Sequence, residues 1–382
     1  MQVHVHDSLA AIDATDWNRL NRNGNPFLRH EFLLALEQTG CLGEQHGWFP
    51  RYFTLGNDGQ LLGACPAYIK TNSYGEFVFD WSWAEAYEEH GLRYYPKLVV
   101  AVPYTPVTGQ RLLTAPEADR ELIAGLLIRA VHEYADAGKL SGVHWLFPTD
   151  DERELLAGTD HTALRNDCQY HWYNRDYSSF DDFLADCTAK RRKTIKRERR
   201  SVAEQDLQLE VRSGDSLSEA EWSVVCALYA STFDRKWGEA SLSEAFFQQV
   251  GRTMGENFVI VFARDEQGIA ACAVMLRDEE TLYGRYWGCF RQYRNLHFEA
   301  CFYQGIDYCI EHKLKRFEPG AQGEHKITRG FHPTLTWSAH RLFDEGFNEA
   351  VGRYLTQERA MVEKRREQLG TLLPFNEHYP AS

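Results

Sequence analysis

No stretch of this 382-residue chain approaches the ~20 consecutive apolar residues that a membrane-crossing helix needs. Its opening, from Met1 to Leu20, has neither the basic start nor the unbroken apolar run of a secretory signal. Both absences lead us to expect a soluble, unexported, cytoplasmic protein. The nine cysteines are odd in number, scattered from Cys41 to Cys309 and never spaced C-x-x-C, which excludes a disulfide framework and a zinc ribbon. No Walker loop, nucleophile elbow or dinucleotide fingerprint stands out. Positive charge is scarce: a formal net charge of -13 excludes a surface that is a nucleic-acid footprint as a whole.

The positive charge that is present is concentrated. Residues 190–200 hold eight basic side chains and one acid, Glu198, so this segment carries +7 and the remainder -20. Lys193, Lys196, Arg197 and Arg200 fall at i, i+3, i+4 and i+7, which predicts one cationic helix face, with Ile195 and Val202 still able to touch a core. That face suits a polyanion, bound with strong salt dependence. The alternative is a solvated helix paired with the protein's own carboxylates.

A composition of 43% hydrophobic and 25% charged residues is that of a globular protein, and the length predicts two domains. In the first half, Asn25-Pro26 opens a helix that ends before Gly40. Two strand-like runs around Gly56-Asn57-Asp58-Gly59 read as a hairpin. Leu122, Leu126, Ala130 and Tyr134 have helical spacing, and a buried strand follows over 142–148. In the second half, Ser178-Ser179 cap a helix with Asp181 and Asp182 in its first turn. Helices follow over 219–233 and 241–254, the latter read as polar. Then come an antiparallel meander over 258–289, a helix after Asn295 and a strand over 314–320. The expected fold class is α+β: two tandem modules, 1–165 and 166–382, each a mainly antiparallel sheet flanked by helices. That order is similar to the acetyltransferase (GNAT) module.

Four blocks carry a closer resemblance: residues 73–109 (SYGEFVFDWSWAEAYEEHGLRYYPKL, then AVPYTPVTG), 189–200 (AKRRKTIKRERR), 282–311 (LYGRYWGCFRQYRNLHFEACFYQGIDYCIE) and 317–334 (FEPGAQGEHKITRGFHPT). They resemble the FemAB-like proteins labelled peptidoglycan biosynthesis/recognition, a tandem GNAT-fold group of bacterial proteins. The resemblance implies a Fem-type reaction, transfer of an activated acyl or aminoacyl group to an amine acceptor. The donor would be aminoacyl-tRNA or acyl-CoA, with no tightly bound cofactor. It also implies that the 190–200 helix approaches a cell-wall precursor or tRNA. The rival reading is a non-catalytic module that recognises a cell-wall or nucleic-acid polyanion.

The stretch Glu318 to Arg329 concentrates one amide, two carboxylates, an imidazole and cations around Gly320 and Gly323. An attacking amine must lose a proton, so Glu324 or His325 is the candidate base. Gln322, Lys326 and Arg329 are candidates for holding donor or acceptor. On the strand before it, alternation predicts Arg285 and Trp287 on one face, contacting substrate, and Tyr286 and Gly288 on the other, with Tyr286 donating to a leaving group or oxyanion. Residues 291–297 contain no glycine where coenzyme A-binding modules place a phosphate-cradling loop, which argues for another donor. His297-x-Glu299 and Glu324-His325 match no closed metal site, so no metal is expected. Cys289 and Cys301 read as buried structural thiols. The Tyr94–Gly109 block, with Lys97, reads as a cleft wall or as core.

Overall fold

In the computed structural model, which describes residues 1–57, 59–234 and 240–379, the chain divides into two units. The first comprises Met1–Asp167 and Leu335–Lys364, the second Cys168–Thr334 and Arg365–Ser382. Residues 335–364, which a division at 165/166 gives to the second module, cluster with the first unit. Among the described residues no helix is long and apolar enough to cross a membrane.

The first unit runs β1 (Gln2–His6), α1 (Ala14–Leu20), α2 (His30–Gln38), β2 (Trp48–Asn57), β3 (Gln60–Lys70), α3 (Trp81–Glu89), β4 (Lys97–Val100), β5 (Leu113–Thr114), α4 (Arg120–Ala137), β6 (Gly142–Leu146) and α5 (Asp150–Ala157). Asn25 and Pro26 open a short 3-10 turn over Pro26–Leu28, one turn before α2 proper. The hairpin forms as β2–β3, and Asp58 in its turn lies outside the described residues. The sheet order is β1-β2-β3-β4-β6 followed by the strand His332–Leu342, antiparallel except for β4 against β6. Helix α4 covers this sheet with Ile123, Leu127, Ile128 and Val131. The row Leu122, Leu126, Ala130, Tyr134 is the flank of that face, and Leu122 is exposed. The burying stripe lies one residue further on, where β-branched Ile123 and Val131 meet Leu98 and Val100 on the sheet.

The second unit takes β7 (Ala163–Tyr173) from Cys168 onward, then α6 (Phe180–Asp186), α7 (Ala189–Ala203), β8 (Gln208–Ser213), α8 (Glu219–Asp234), α9 (Glu244–Met254), β9 (Phe258–Asp265), β10 (Gly268–Arg277), β11 (Thr281–Cys289), α10 (Leu296–Phe298), a π-turn over Glu299–Tyr303, α11 (Gln304–Glu311), β12 (Arg316–Glu318), the first residues of β13 (His332–Leu342) as far as Thr334, and the end of α12 (Glu345–Gly370) from Arg365. The sheet order is β7-β12-β11-β10-β9-β8. The expected meander is present as β9–β10–β11. Helix α9, read as polar, is amphipathic and buries Phe246, Phe247, Val250 and Met254. Among the described strands of this unit only β11 and β12 run parallel, because the chain crosses over through α10 and α11 between them.

Candidate active site

Parallel pairing of β11 with β12 covers only Thr281–Tyr283 against Arg316–Glu318, after which the two diverge. Gly284 is where they part: a Cβ there would stand 3.0 Å from the Pro319 Cα, so glycine permits the approach. Beyond it opens a cleft of 310 Å³. One side is lined by Gly284, Arg285, Tyr286 and Trp287, the other by Pro319–Gln322, His325 and Lys326, with His297, Cys301 and Phe302 completing it.

A β-bulge shapes the first side. Val274 pairs with Tyr286 and Met275 with Gly284, leaving Arg285 as the extra residue. Plain alternation therefore fails here, and Arg285, Tyr286 and Trp287 all line the cleft. Tyr286 is held by the rings of Tyr229 and Phe247, 4.9 and 6.1 Å away, and Trp287 by His297 at 5.4 Å. Helix α8 seats against this strand at Gly288, where any Cβ would meet the Leu228 carbonyl oxygen at 1.9 Å. Gly288→Ala should therefore force α8 off the strand and cost ~1–3 kcal/mol or more, measurable by urea denaturation.

The opposite side is a glycine-shaped turn. Gly320 and Gly323 have φ of 93° and 114°, conformations that side-chain-bearing residues rarely adopt. A Cβ at Gly323 would lie 2.6 Å from the His325 ring, so glycine also leaves room for that imidazole. His325 packs among His297, Phe298 and Phe302. The ring is open to solvent on one side, and partial desolvation, then Arg329 and Lys326, lower its pKa from the usual value, which favours the neutral ring that can accept a proton.

Lys326 is buried, and its Nζ donates to the Gly320 carbonyl at 2.7 Å. Among the described residues no carboxylate pairs with it, and burial lowers its pKa to about 7. The amine therefore changes charge near neutral pH. Glu324, by contrast, is 53% exposed, pairs with Arg365 and does not line the cleft. Gln322 lines it from an exposed position.

Arg329 is buried away from the opening. It donates to Glu198 of α7 at 2.7 Å, to the Tyr303 hydroxyl at 3.1 Å and to the His325 carbonyl at 2.7 Å, with its guanidinium 3.6 Å over Phe298. Its geometry is that of a latch between α7 and the 324–329 turn. Sequence reasoning missed Glu198 as its partner, although Glu198 shares a helical stripe with Ile195 and Val202, both buried. On the other face Lys193, Lys196, Arg197 and Arg200 are exposed, as expected, and Lys196 pairs with Asp181 at 2.8 Å.

Residues 291–297 are occupied by internal bonds. Arg291 pairs with Asp265 at 2.5 and 2.8 Å, and the Tyr293 hydroxyl donates to the same carboxylate at 2.8 Å. The Arg294 amide donates to Gln205 Oε1 at 2.9 Å. An amide committed this way is not offered to a pyrophosphate. Burial pushes the Cys301 thiol up, leaving it protonated and unreactive. Among the described residues no group of three or more histidine, cysteine or carboxylate side chains is placed to hold a metal.

Behind the cleft wall, Glu318 is buried 2.9 Å from Arg316 Nε without hydrogen-bond geometry, and neither carboxylate oxygen has a hydrogen-bond partner. Burial outweighs the arginine and raises its pKa to about 7. A carboxyl whose folded pKa exceeds its unfolded value of 4.5 favours the fold below pH 4.5, and that contribution disappears as pH rises to about 7. Glu318→Gln should therefore flatten the fall in stability across this window and give the more stable protein at pH 8, as read from urea midpoints at a series of pH values.

The Tyr94–Gly109 block proves to be core. Lys97 is 0% exposed and donates to Ser73 and Glu76, each at 2.8 Å, and to Asp80. Tyr94 donates to the same Asp80 carboxylate.

The profile of the FemAB-like family, described as peptidoglycan biosynthesis/recognition, matches residues 8–377, and the chain belongs to that family. Among solved structures it is similar to FemX, with 10% identity over 92% of this chain and 100% of that one and a TM-score of 0.53. A conserved protein of unknown function from Bacteroides thetaiotaomicron shares 12% identity over 89% and 100% of the chains, with a TM-score of 0.50. A tandem GNAT protein from the clavulanic acid biosynthesis pathway shares 10% identity over 89% and 98%, with a TM-score of 0.45. None of the curated proteins matches it. The fold mixes helices with a mainly antiparallel sheet, as the element order predicts, and is similar to that of FemX.

Proposed function

We propose that the chain is an acyl- or aminoacyltransferase whose reaction takes place in the cleft between β11 and the 319–326 turn. The observation that carries this reading is the divergence of β11 from β12. It creates a concave site into which a neutral imidazole, a lysine of lowered pKa and a tyrosine converge. The family's description, peptidoglycan biosynthesis/recognition, favours a peptide-like amine as acceptor.

In this reading the acceptor amine attacks the acyl carbonyl of an activated ester directly. The new C–N bond forms as the carbonyl oxygen takes up negative charge, the C–O or C–S bond to the donor then breaks, and the leaving group departs with a proton. His325 takes the proton from the amine. The protonated form of Lys326 and the Tyr286 hydroxyl stabilise the oxyanion and the leaving group. Glu324 has no part. Arg285, Trp287 and Gln322 contact the bound donor or acceptor.

The internal bonding of residues 291–297 favours a donor other than coenzyme A, and the exposed cations of α7 favour a polyanionic one such as aminoacyl-tRNA. If tRNA lies on that face, replacing Lys193, Arg197 and Arg200 together by glutamine should weaken its binding and reduce the slope of log affinity against log salt by ~2–3. Arg329 then acts through α7 as a positioning residue and does not touch the donor.

The test is to incubate the full chain with charged tRNA pools and with acyl-CoAs, each with cell extract as a source of acceptors, and to follow donor loss by mass spectrometry. Loss of the tRNA-borne group supports the reading as stated, and loss from acyl-CoA keeps the transferase but replaces its donor. If neither donor is consumed while tRNA still binds, the non-catalytic module is the better description.

A further inference from the structure

The first unit holds a pocket of its own, of 500 Å³. One wall is a stripe of α4, in which Gly125, Ile128, Arg129, His132, Glu133 and Asp136 recur at helical spacing over ~16 Å. The end of α5 and the turn after it form a second wall, and Arg341 of β13 with Phe343 just beyond it a third.

Gly125 is the first sign that this space admits a ligand. It lies in the second turn of α4, is exposed, has no left-handed φ, and a Cβ there would meet nothing within 4 Å. Neither conformation nor packing asks for glycine at this position, and inside a helix glycine is destabilising relative to alanine. What the missing side chain does is keep one wall of the pocket open.

Arg341 is the second sign. It is partly buried, and its Nη1 lies 3.1 Å from Nδ1 of His132, a ring that is 5% exposed. Burial, then Arg341, lower the His132 pKa to about 4, so the imidazole is neutral near neutral pH. The Trp145 indole N–H faces the other ring nitrogen at 3.4 Å. Arginine and tryptophan can only donate, and a neutral imidazole has one lone pair for the two of them. Whichever tautomer forms, one donor goes unanswered. An anion on the guanidinium would leave the lone pair to Trp145.

Charges of both signs face the same space. Among the described residues no carboxylate pairs with Arg341, nor with Arg129, although Glu133 stands four residues further along the helix. Glu133, Asp136 and Asp160, the acids of the lining, likewise have no ion-pair partner among the described residues. Two arginines repel a polyamine, and three carboxylates repel a phosphate dianion. A ligand with one charge of each sign meets neither objection. The last turns of α4, which carry Glu133 and Asp136 at the negative end of the helix dipole, suit an ammonium, and the guanidinium of Arg341 suits a carboxylate. Ile128, Leu155 and Phe343 supply apolar surface beside them, and the volume lies within the ~300–1,000 Å³ of small-molecule pockets.

We propose that this pocket binds a free α-amino acid with an apolar side chain. Its carboxylate rests on Arg341, its ammonium among Glu133, Asp136 and Asp160, and its side chain against Ile128, Leu155 and Phe343. The assignment is independent of the transferase reading, because its test needs no acyl donor.

The full chain is titrated by isothermal calorimetry with L-leucine and with analogues that each lack one element: isocaproate without the amine, isopentylamine without the carboxylate, and glycine without the side chain. L-Leucine should bind saturably and each analogue at least ~10-fold more weakly, the loss of one charged or apolar contact. Leucinamide and N-acetylleucine imitate the two ends of a peptide and should be weaker by the same margin. Gly125→Met separates a ligand-admitting glycine from a structural one. It should raise Tm, since methionine is a good helix former and the site has room, while costing at least ~10-fold in leucine affinity by filling the pocket. Arg341→Gln should also cost at least ~10-fold. Because that change touches His132, the exposed pair Glu133→Gln with Asp136→Asn carries the same expectation at side chains that make no contact within the fold. No saturable leucine binding, unchanged affinity or a lowered Tm in Gly125→Met, or any analogue, leucinamide and N-acetylleucine included, binding as tightly as leucine would each overturn the assignment.

Discussion

Replacing His325 by alanine is expected to lower the rate of acyl transfer by ~10²–10⁴, the range over which a positioned general base acts, with little change in KM for the donor. The imidazole lines the cleft from an exposed position, its pKa is lowered by partial desolvation and by the cations beside it, and Gly323 leaves room for the ring. Glu324→Gln should leave the rate within about twofold, because a carboxylate paired with Arg365 at the surface adds little to a site it does not line. The contrast between neighbours separates a base from a polar turn. Lys326→Met should fall between them, and the wild-type profile of kcat against pH should bend near 7 where this lysine titrates. Initial rates for the three variants, with the fraction folded checked by circular dichroism, decide the matter.

Loss of Lys97 should be the most damaging single change to stability. Lys97→Met leaves the buried carboxylates of Glu76 and Asp80 without their cation, and breaking a buried ion cluster on one side costs ~3–5 kcal/mol. Burial, with the Asp80 charge beside it, raises the Glu76 pKa to about 7 even with the lysine present, while Lys97 and its neighbours outweigh burial at Asp80 and hold it well below the carboxylate range. The triple variant Lys97→Met, Glu76→Gln, Asp80→Asn should recover most of the loss, since neutral side chains of similar shape carry no uncompensated charge. Urea midpoints give both numbers. A triple variant no better than the single one would mean that packing by Lys97, and not charge, supports this segment.

What could be read from the sequence follows from which forces are local. The meander 258–289, the hairpin around residue 58 and the cationic face of α7 depend on alternation, turn residues and helical spacing, and each reading found its element. The side-chain directions at Arg285 and Tyr286 did not, because a bulge opposite Val274–Met275 is set by pairing with another strand. Helix α4 was placed correctly, but its buried face was offset by one position, since two apolar stripes run side by side and only the sheet decides between them. The stretch 318–329 was singled out for its polar density, yet polarity alone cannot tell buried Lys326 and Arg329 from exposed Glu324. Glu198 was legible as the single acid among eight basic residues, on the core stripe, and its partner was not.

The central claim is that the acyl group is transferred in the cleft between β11 and the 319–326 turn. Its most direct test is a crystal structure with a donor analogue whose reactive ester is replaced by an amide, such as a 3′-aminoacylamino-adenosine. The account predicts the acyl carbonyl within hydrogen-bond reach of Lys326 or Tyr286, with the His325 ring open to the face from which an amine attacks. An analogue bound in order elsewhere, with the cleft side chains unmoved and untouched, would contradict it.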